Sequence, residues 1–135
     1  MEETRAPEGD DAGRAFRVLL CDDAVAFSLL FRLWMEACGL TVVGDTDNAP
    51  DAVAMATELQ PDVIVVDHLL RDVTSDGLAP RLREAAPAAK QLLISGMPDD
   101  RLAVLAAAAG VDGYISKACT AQAMCEAVRA LLPDA

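Results

Sequence analysis

The chain has 135 residues, is 53% hydrophobic and carries a formal charge of -11, with a pI near 4.3. That length suits one domain, and that hydrophobic share excludes a disordered chain. The acidity argues against nucleic acid as a direct partner, because phosphate backbones are gripped by clustered Lys and Arg.

Residues 1–15, MEETRAPEGDDAGRA, are polar and without period and read as a flexible acidic tail ahead of a domain over 16–135. They lack the basic-then-apolar order of a secretion signal. No apolar run nears the roughly 20 residues needed to cross a bilayer. A cytoplasmic protein without a membrane partner is therefore expected.

FRVLLC (16–21) reads as a first strand, LTVV (40–43) as a second, VIVV (63–66) as a third, QLLI (91–94) as a fourth and GYIS (113–116) as a fifth. The run at 63–66 is apolar without alternation, the mark of a strand covered on both faces. A first helix follows the first strand, with Phe27, Leu30, Phe31 and Trp34 as its apolar stripe and Gly39 as its stop. The second opens at Asn48 to Pro50 and must end before Pro61. A third, short helix is expected around Leu78 to Ala85. The fourth begins after Pro98, with Asp99 and Asp100 in its first turn, and stops at Gly110. Thr120 caps the fifth, whose Met124, Val128, Leu131 and Leu132 share one stripe. Strand and helix alternate five times, which implies an α/β doubly wound parallel sheet with helices on both faces. The four cysteines, Cys21, Cys38, Cys119 and Cys125, form no CxxC pair and no zinc-like spacing with His68, the single histidine, so reduced, packed thiols are expected.

In open sheets of this kind the functional crevice lies at the carboxyl ends of the strands. Strand one ends in Asp22 and Asp23, strand three in Asp67, strand four in Ser95, and strand five leads to Lys117. Each pair among three converging carboxylates costs on the order of 4 kcal/mol at 4 Å with an effective dielectric of about 20, so a cation must compensate. A magnesium ion suits such oxygen ligands, and a lysine adds a point charge able to grip a phosphoryl oxygen. The combination is suited to phosphoryl transfer onto Asp67 as nucleophile. His68 follows Asp67, but strand alternation points it away, which favours a packed or rim histidine.

From Arg17 to Leu132 the chain resembles a response-regulator receiver domain, the module that histidine kinases phosphorylate on aspartate in two-component signalling. The resemblance rests on LLCDD for the acidic pair, VIVVD for the acceptor strand, LLISG for the hydroxyl strand and AGVDGYISK for the aromatic and lysine, in that order. It implies a flavodoxin-like fold of strand order 2-1-3-4-5. It implies a Mg2+ site built from Asp22, Asp23, Asp67 and the backbone carbonyl of Leu69, with Asp67 as phosphoacceptor. Lys117 contacts the phosphoryl group, and Ser95 and Tyr114 form the switch. The implied partners are a sensor histidine kinase or histidine phosphotransfer protein, and a downstream protein that reads the face from the fourth helix through the fifth strand to the fifth helix. The chain ends soon after the fifth helix, so a single-domain receiver is expected. It would be no enzyme in its own right, taking part only in phosphoryl transfer to its own Asp67.

The sequence departs from the family after Asp67. DHLLRDVTSDG puts Leu70 and Arg71 where a Met-Pro pair is usual and brings Gly77 later, so a longer, less constrained loop is expected. Ala118 replaces a proline that is often cis, and a trans bond is expected there. Leu69 and Met97 stand where the family tunes hydrolysis of the acyl phosphate, and their apolar character implies a persistent phosphoryl group. A receiver-like interaction module that is never phosphorylated is the main alternative. A haloacid dehalogenase-type phosphatase would need a second carboxylate at position 69, which is leucine, and a flavin or nucleotide site would need a Gly- or hydroxyl-rich loop where Asp22 and Asp23 stand.

Overall fold

Among the described residues twelve elements follow one another: β1 (Arg17–Cys21), α1 (Val25–Ala37), β2 (Thr41–Thr46), α2 (Ala49–Leu59), β3 (Val63–Asp67), β4 (Leu69–Leu70), β5 (Val73–Thr74), α3 (Ser75–Ala85), β6 (Lys90–Ser95), α4 (Asp99–Ala109), β7 (Gly113–Ser116) and α5 (Ala121–Arg129). The structure, a computed structural model, describes residues 15–71 and 73–133. The expected tail therefore lies, but for Ala15, outside the described residues. Five strands form one parallel sheet in the order β2-β1-β3-β6-β7. This is the flavodoxin-like 2-1-3-4-5 order, with β6 and β7 as its fourth and fifth strands.

Period-two alternation divides the core. Val18, Leu20, Val63, Val65, Leu92 and Ile94 face α1 and α5, where Phe31, Met35, Met124 and Val128 meet them. Leu19, Cys21, Ile64 and Val66 face α2 and α3, where Ala52, Ala56, Leu78 and Leu82 pack. Leu93 packs with Leu102 and Ala106 of α4. Each fully buried Leu, Ile or Val stabilises the fold by about 1.5–3 kcal/mol. The helix signals act as expected: Asn48 accepts the Asp51 N–H at 2.9 Å, Thr120 accepts the Ala123 N–H at 3.0 Å, and Gly110 takes a left-handed φ of 72° after α4. No peptide bond is cis among the described residues, so Ala118 follows a trans bond.

Four expectations are corrected. Leu30 is 43% exposed rather than core, because the buried arc of α1 centres on Phe31 and Met35 and Leu30 lies about 100° around the helix from Phe31. Helix α3 starts at Ser75 instead of Leu78 and takes Gly77 into its first turn. The segment after Asp67 is no loose loop, since β4 and β5 pair as a small antiparallel hairpin. The Ser75 N–H donates to the His68 carbonyl at 2.7 Å, and the His68 ring meets the Ser75 hydroxyl at 2.8 Å. Finally, Cys38 and Cys125 are joined in a disulfide across 87 residues rather than being free thiols. Their positions in sequence show no pairing, but α1 packs on α5 and sets their Cα atoms 6.7 Å apart. Cys21 and Cys119 are free, as expected.

Candidate functional site

The alternation that builds the core also aims the site. Asp22 continues the side of β1 that carries Leu20, and Asp67 continues the side of β3 that carries Val65, so both carboxylates emerge on the face covered by α1 and α5. Lys117 follows β7 on the side of Ile115 and meets them there. Its Nζ lies 2.6 Å from Asp22 Oδ2 and 3.2 Å from Asp67 Oδ2, and 4.8 Å from the centroid of the Phe27 ring. The ring is one wall of this ion-pair site, and its face adds cation–π attraction to the ammonium.

Asp22 is the enclosed member, its side chain fully shielded from solvent. Its other oxygen, Oδ1, accepts the Ala24 N–H at 2.8 Å, which fixes the turn into α1. Asp23 is exposed. One carboxylate oxygen from each of Asp22, Asp23 and Asp67 lies within 4.8 Å of the others. Burial, then the charge of Asp22, push the Asp67 carboxyl above its ordinary value, with Asp23 adding to the rise and Lys117 opposing it. For Lys117 burial acts to lower the ammonium, but its hydrogen bond to Asp22 and the charge of Asp67 prevail and raise it. One lysine thus offsets three acids only in part. Hard oxygen donors this close, with negative charge left over, suit a hard divalent cation.

Ser95 is buried at the end of β6, where its hydroxyl accepts the Met97 N–H at 3.3 Å and its carbonyl accepts the Lys117 N–H at 2.8 Å. The strand holding the hydroxyl therefore also holds the lysine. Tyr114, one residue after β7 begins, is 43% exposed and is not a core residue. Leu69 is 53% exposed beside Asp67. The Ser75 N–H donates to the His68 carbonyl while the His68 N–H donates to the Ile94 carbonyl, so the neighbouring Leu69–Thr74 pair falls at the non-bonded position of the hairpin, which leaves the Leu69 carbonyl out of the ladder.

Two features were not read from the sequence. Arg71, at a left-handed φ of 53°, carries its guanidinium from the hairpin to Asp47, tying it to the segment between β2 and α2. Only the fold brings positions 47 and 71 together, and no local pattern announces them. Beside the carboxylates lies a depression of about 340 Å³ whose lining includes Asp22, Asp23, Asp47, Val25 and Leu29, with Arg32 ion-paired to Asp45 at 2.8 Å. Val25, Leu29 and Leu33 are 75%, 64% and 63% exposed and form a second apolar stripe along α1 at i, i+4 and i+8. A signal for it existed, since the helix sequence VAFSLLFRLWMEA is apolar on more of its circumference than one buried face requires.

The response regulator receiver domain model matches residues 18–129. The response regulator VraR of Staphylococcus aureus is 33% identical over 90 residues, which cover 67% of this chain and 43% of that protein. The chain thus matches less than half the length of this relative. Among solved structures, a two-component response regulator of the LuxR family from Aurantimonas superposes with a TM-score of 0.79 at 25% identity, covering 87% of this chain and 85% of that one. A response regulator from Burkholderia pseudomallei, solved with a phosphorylated aspartic acid, a calcium ion and citrate, gives 0.74 at 25% identity over 84% of this chain and 66% of that one. The response regulator domain of Thermotoga maritima CheB shares the fold at 21% identity, with a TM-score of 0.76 over 87% of this chain and 96% of that one.

Proposed function

The chain belongs to the response regulator receiver domain family of two-component systems, and from that membership we propose that it accepts a phosphoryl group on Asp67 from a phosphohistidine. The donor would be a sensor histidine kinase or a histidine phosphotransfer protein. The observation that carries this reading is the position of Asp67 at the end of a buried strand, 3.2 Å from Lys117 and grouped with two further carboxylates.

In the proposed step an Asp67 carboxylate oxygen bonds to phosphorus while the phosphorus–nitrogen bond breaks, and its electron pair leaves with the imidazole. The acyl phosphate stays on the protein, so the chain is a signalling module and not an enzyme with a released product. Asp22, Asp23, Asp67 and the Leu69 carbonyl would hold Mg2+, which supplies neutralisation of phosphoryl charge when bound. The relative from Burkholderia pseudomallei, with its phosphorylated aspartate and calcium ion, supports both assignments. Lys117 brings a fixed positive charge to the phosphoryl oxygens. Ser95 would donate its hydroxyl to the new group, and the exposed Tyr114 ring would move inward as Ser95 shifts. That motion would alter the α4–β7–α5 face for a downstream protein, in the cytoplasm and without direct contact to nucleic acid or membrane. No helix among the described residues is long and apolar enough to cross a membrane.

The test is intact mass after incubation with acetyl phosphate, with and without Mg2+. A magnesium-dependent gain of one phosphoryl group is expected, persisting on removal of the donor because Leu69 and Met97 offer no group to orient water. No gain, together with no binding of Mg2+, would favour an interaction module that is never phosphorylated.

The stripe of Val25, Leu29 and Leu33 is proposed as the seat of the protein donor. Val25 and Leu29 line the same depression as Asp22 and Asp23, and its lining stays net negative after Arg32 and Arg71 pair with Asp45 and Asp47, which suits a partner with basic groups beside an apolar surface. Leu29→Glu should slow transfer from the cognate phosphohistidine protein by about 10-fold or more, a loss of roughly 1.4 kcal/mol in docking. Phosphorylation by acetyl phosphate, which needs no docking surface, should be unchanged. Equal slowing with both donors would place the effect in the site and not in the interface.

A further inference from the structure

Helices α1 and α5 are coupled at two ends. At the site end, Lys117, three residues before the Thr120 cap of α5, pairs with Asp22 and lies over Phe27 of α1. At the far end, Cys38, which ends α1, is bonded to Cys125 of α5, and the Arg129 guanidinium of α5 donates to the Cys38 carbonyl. We propose that Cys38 and Cys125 form a reversible two-electron redox site that pins α5 to α1 when oxidised and releases it when reduced. The reagent class is a low-molecular-weight thiol and its disulfide, of the glutathione type.

The chemistry is thiol–disulfide exchange. A small thiolate attacks the Cys38 sulfur, the bond to Cys125 breaks, and Cys125 leaves as a thiolate that takes up a proton. A second small thiolate attacks the mixed disulfide, releases Cys38 and departs as the oxidised small disulfide, so two electrons enter the protein and two small thiols become one disulfide. Oxidation runs the same steps backwards. Access fits this order: Cys38 is only partly buried, whereas Cys125 is 8% exposed and serves as the inner, resolving sulfur. In the cytoplasm, the compartment proposed above, disulfides are transient and redox-sensing rather than permanent. The remaining thiols are poor competitors. Burial, with the charge of Asp22, pushes Cys21 up to about 12, and burial also raises Cys119.

The bond encloses 87 residues of sequence separation, a long loop whose closure restricts the unfolded chain strongly. It also anchors the helix that completes the α4–β7–α5 face. The site stands on its own geometry, so its test does not depend on phosphorylation. The full chain is equilibrated in glutathione buffers from fully reduced to disulfide-rich, alkylated without unfolding, and read by intact mass and peptide mapping. The expected result is joint loss of two alkylatable thiols, Cys38 and Cys125, across one transition, with Cys119 unchanged. Reduction should speed hydrogen exchange in α5 and lower the melting temperature by about 10 °C. Cys38→Ser should remove both the transition and the effect of reductant on melting. Two outcomes overturn the proposal: Cys38 and Cys125 both alkylated even in disulfide-rich buffer, or a bond that survives excess reduced glutathione in the native protein. Wild type alone decides between these results if the variant fails to fold.

Discussion

Asp67→Asn should abolish the phosphoryl gain from acetyl phosphate and, at the same time, raise the melting temperature of the magnesium-free protein. The first effect follows from chemistry, because an amide oxygen is too weak a nucleophile to form the acyl phosphate. The second follows from electrostatics. Burial and the neighbouring Asp22 hold the Asp67 carboxyl above its ordinary value of 3.8, so the folded state binds a proton more readily than the unfolded one, and ionised Asp67 works against folding. The sign has a pH signature. Below 3.8 both states carry a neutral side chain, and the variant should melt close to wild type. The gap opens as pH rises through the window between 3.8 and the raised folded value, and it is full at neutral pH. Each 1 kcal/mol of such a gain raises melting by roughly 4 °C for a domain of this size. Thermal melts from pH 3 to 8 without divalent ions measure it, and Mg2+ should narrow the gap by stabilising wild type more than the variant. A variant that melts below wild type at pH 7 would mean that the Lys117–Asp67 pair outweighs the repulsion.

Lys117→Met should be the single change at the site that costs the fold most. It leaves the fully enclosed Asp22 carboxylate without its 2.6 Å partner, and an uncompensated buried charge of this kind costs about 3 kcal/mol or more. A fall in melting temperature of roughly 10 °C is expected. Phosphoryl uptake should drop on the order of 100-fold, as when one fixed donor to a developing charge is removed. Adding Asp22→Asn in the Lys117→Met background separates the two losses: melting should recover in large part, since the fully enclosed charge is gone and Asp67 loses its like-charged neighbour, while phosphoryl uptake should not. Melting of the single variant within two or three degrees of wild type would show that solvent reaches Asp22 more freely than the geometry implies. The cycle of single and double variants gives the coupling directly.

Much of the site was legible because its residues occupy strand ends. A parallel strand buried on both faces announces itself as an unbroken apolar run, as at 63–66, and the residue that ends it must stand on the rim. Asp22, Asp67, Ser95 and Lys117 were found in this way, and the structure brings Asp22, Asp67 and Lys117 into contact. The partners that complete the site were not legible, because they are reached only by side chains crossing between elements. Phe27 reads as plain core until Lys117 lies over it. Arg71 reads as a surface loop residue until the hairpin turns it toward Asp47. The expected loose loop failed for a related reason: β4 and β5 are two residues each, too short for any periodicity to register.

The sequence by itself determined the order of strands and helices, the layering of the sheet and the identity of the acids and the lysine. Those properties rest on local period, turn residues and strand-end position, which each segment carries within itself. Only the tertiary structure decided that Cys38 and Cys125 are joined, that Leu30 faces outward while Val25, Leu29 and Leu33 form a stripe, and that one lysine serves both Asp22 and Asp67. Those outcomes depend on how α1 packs against α5 and the sheet, and packing of helices remote in sequence is a property of the whole chain's buried surface rather than of any segment.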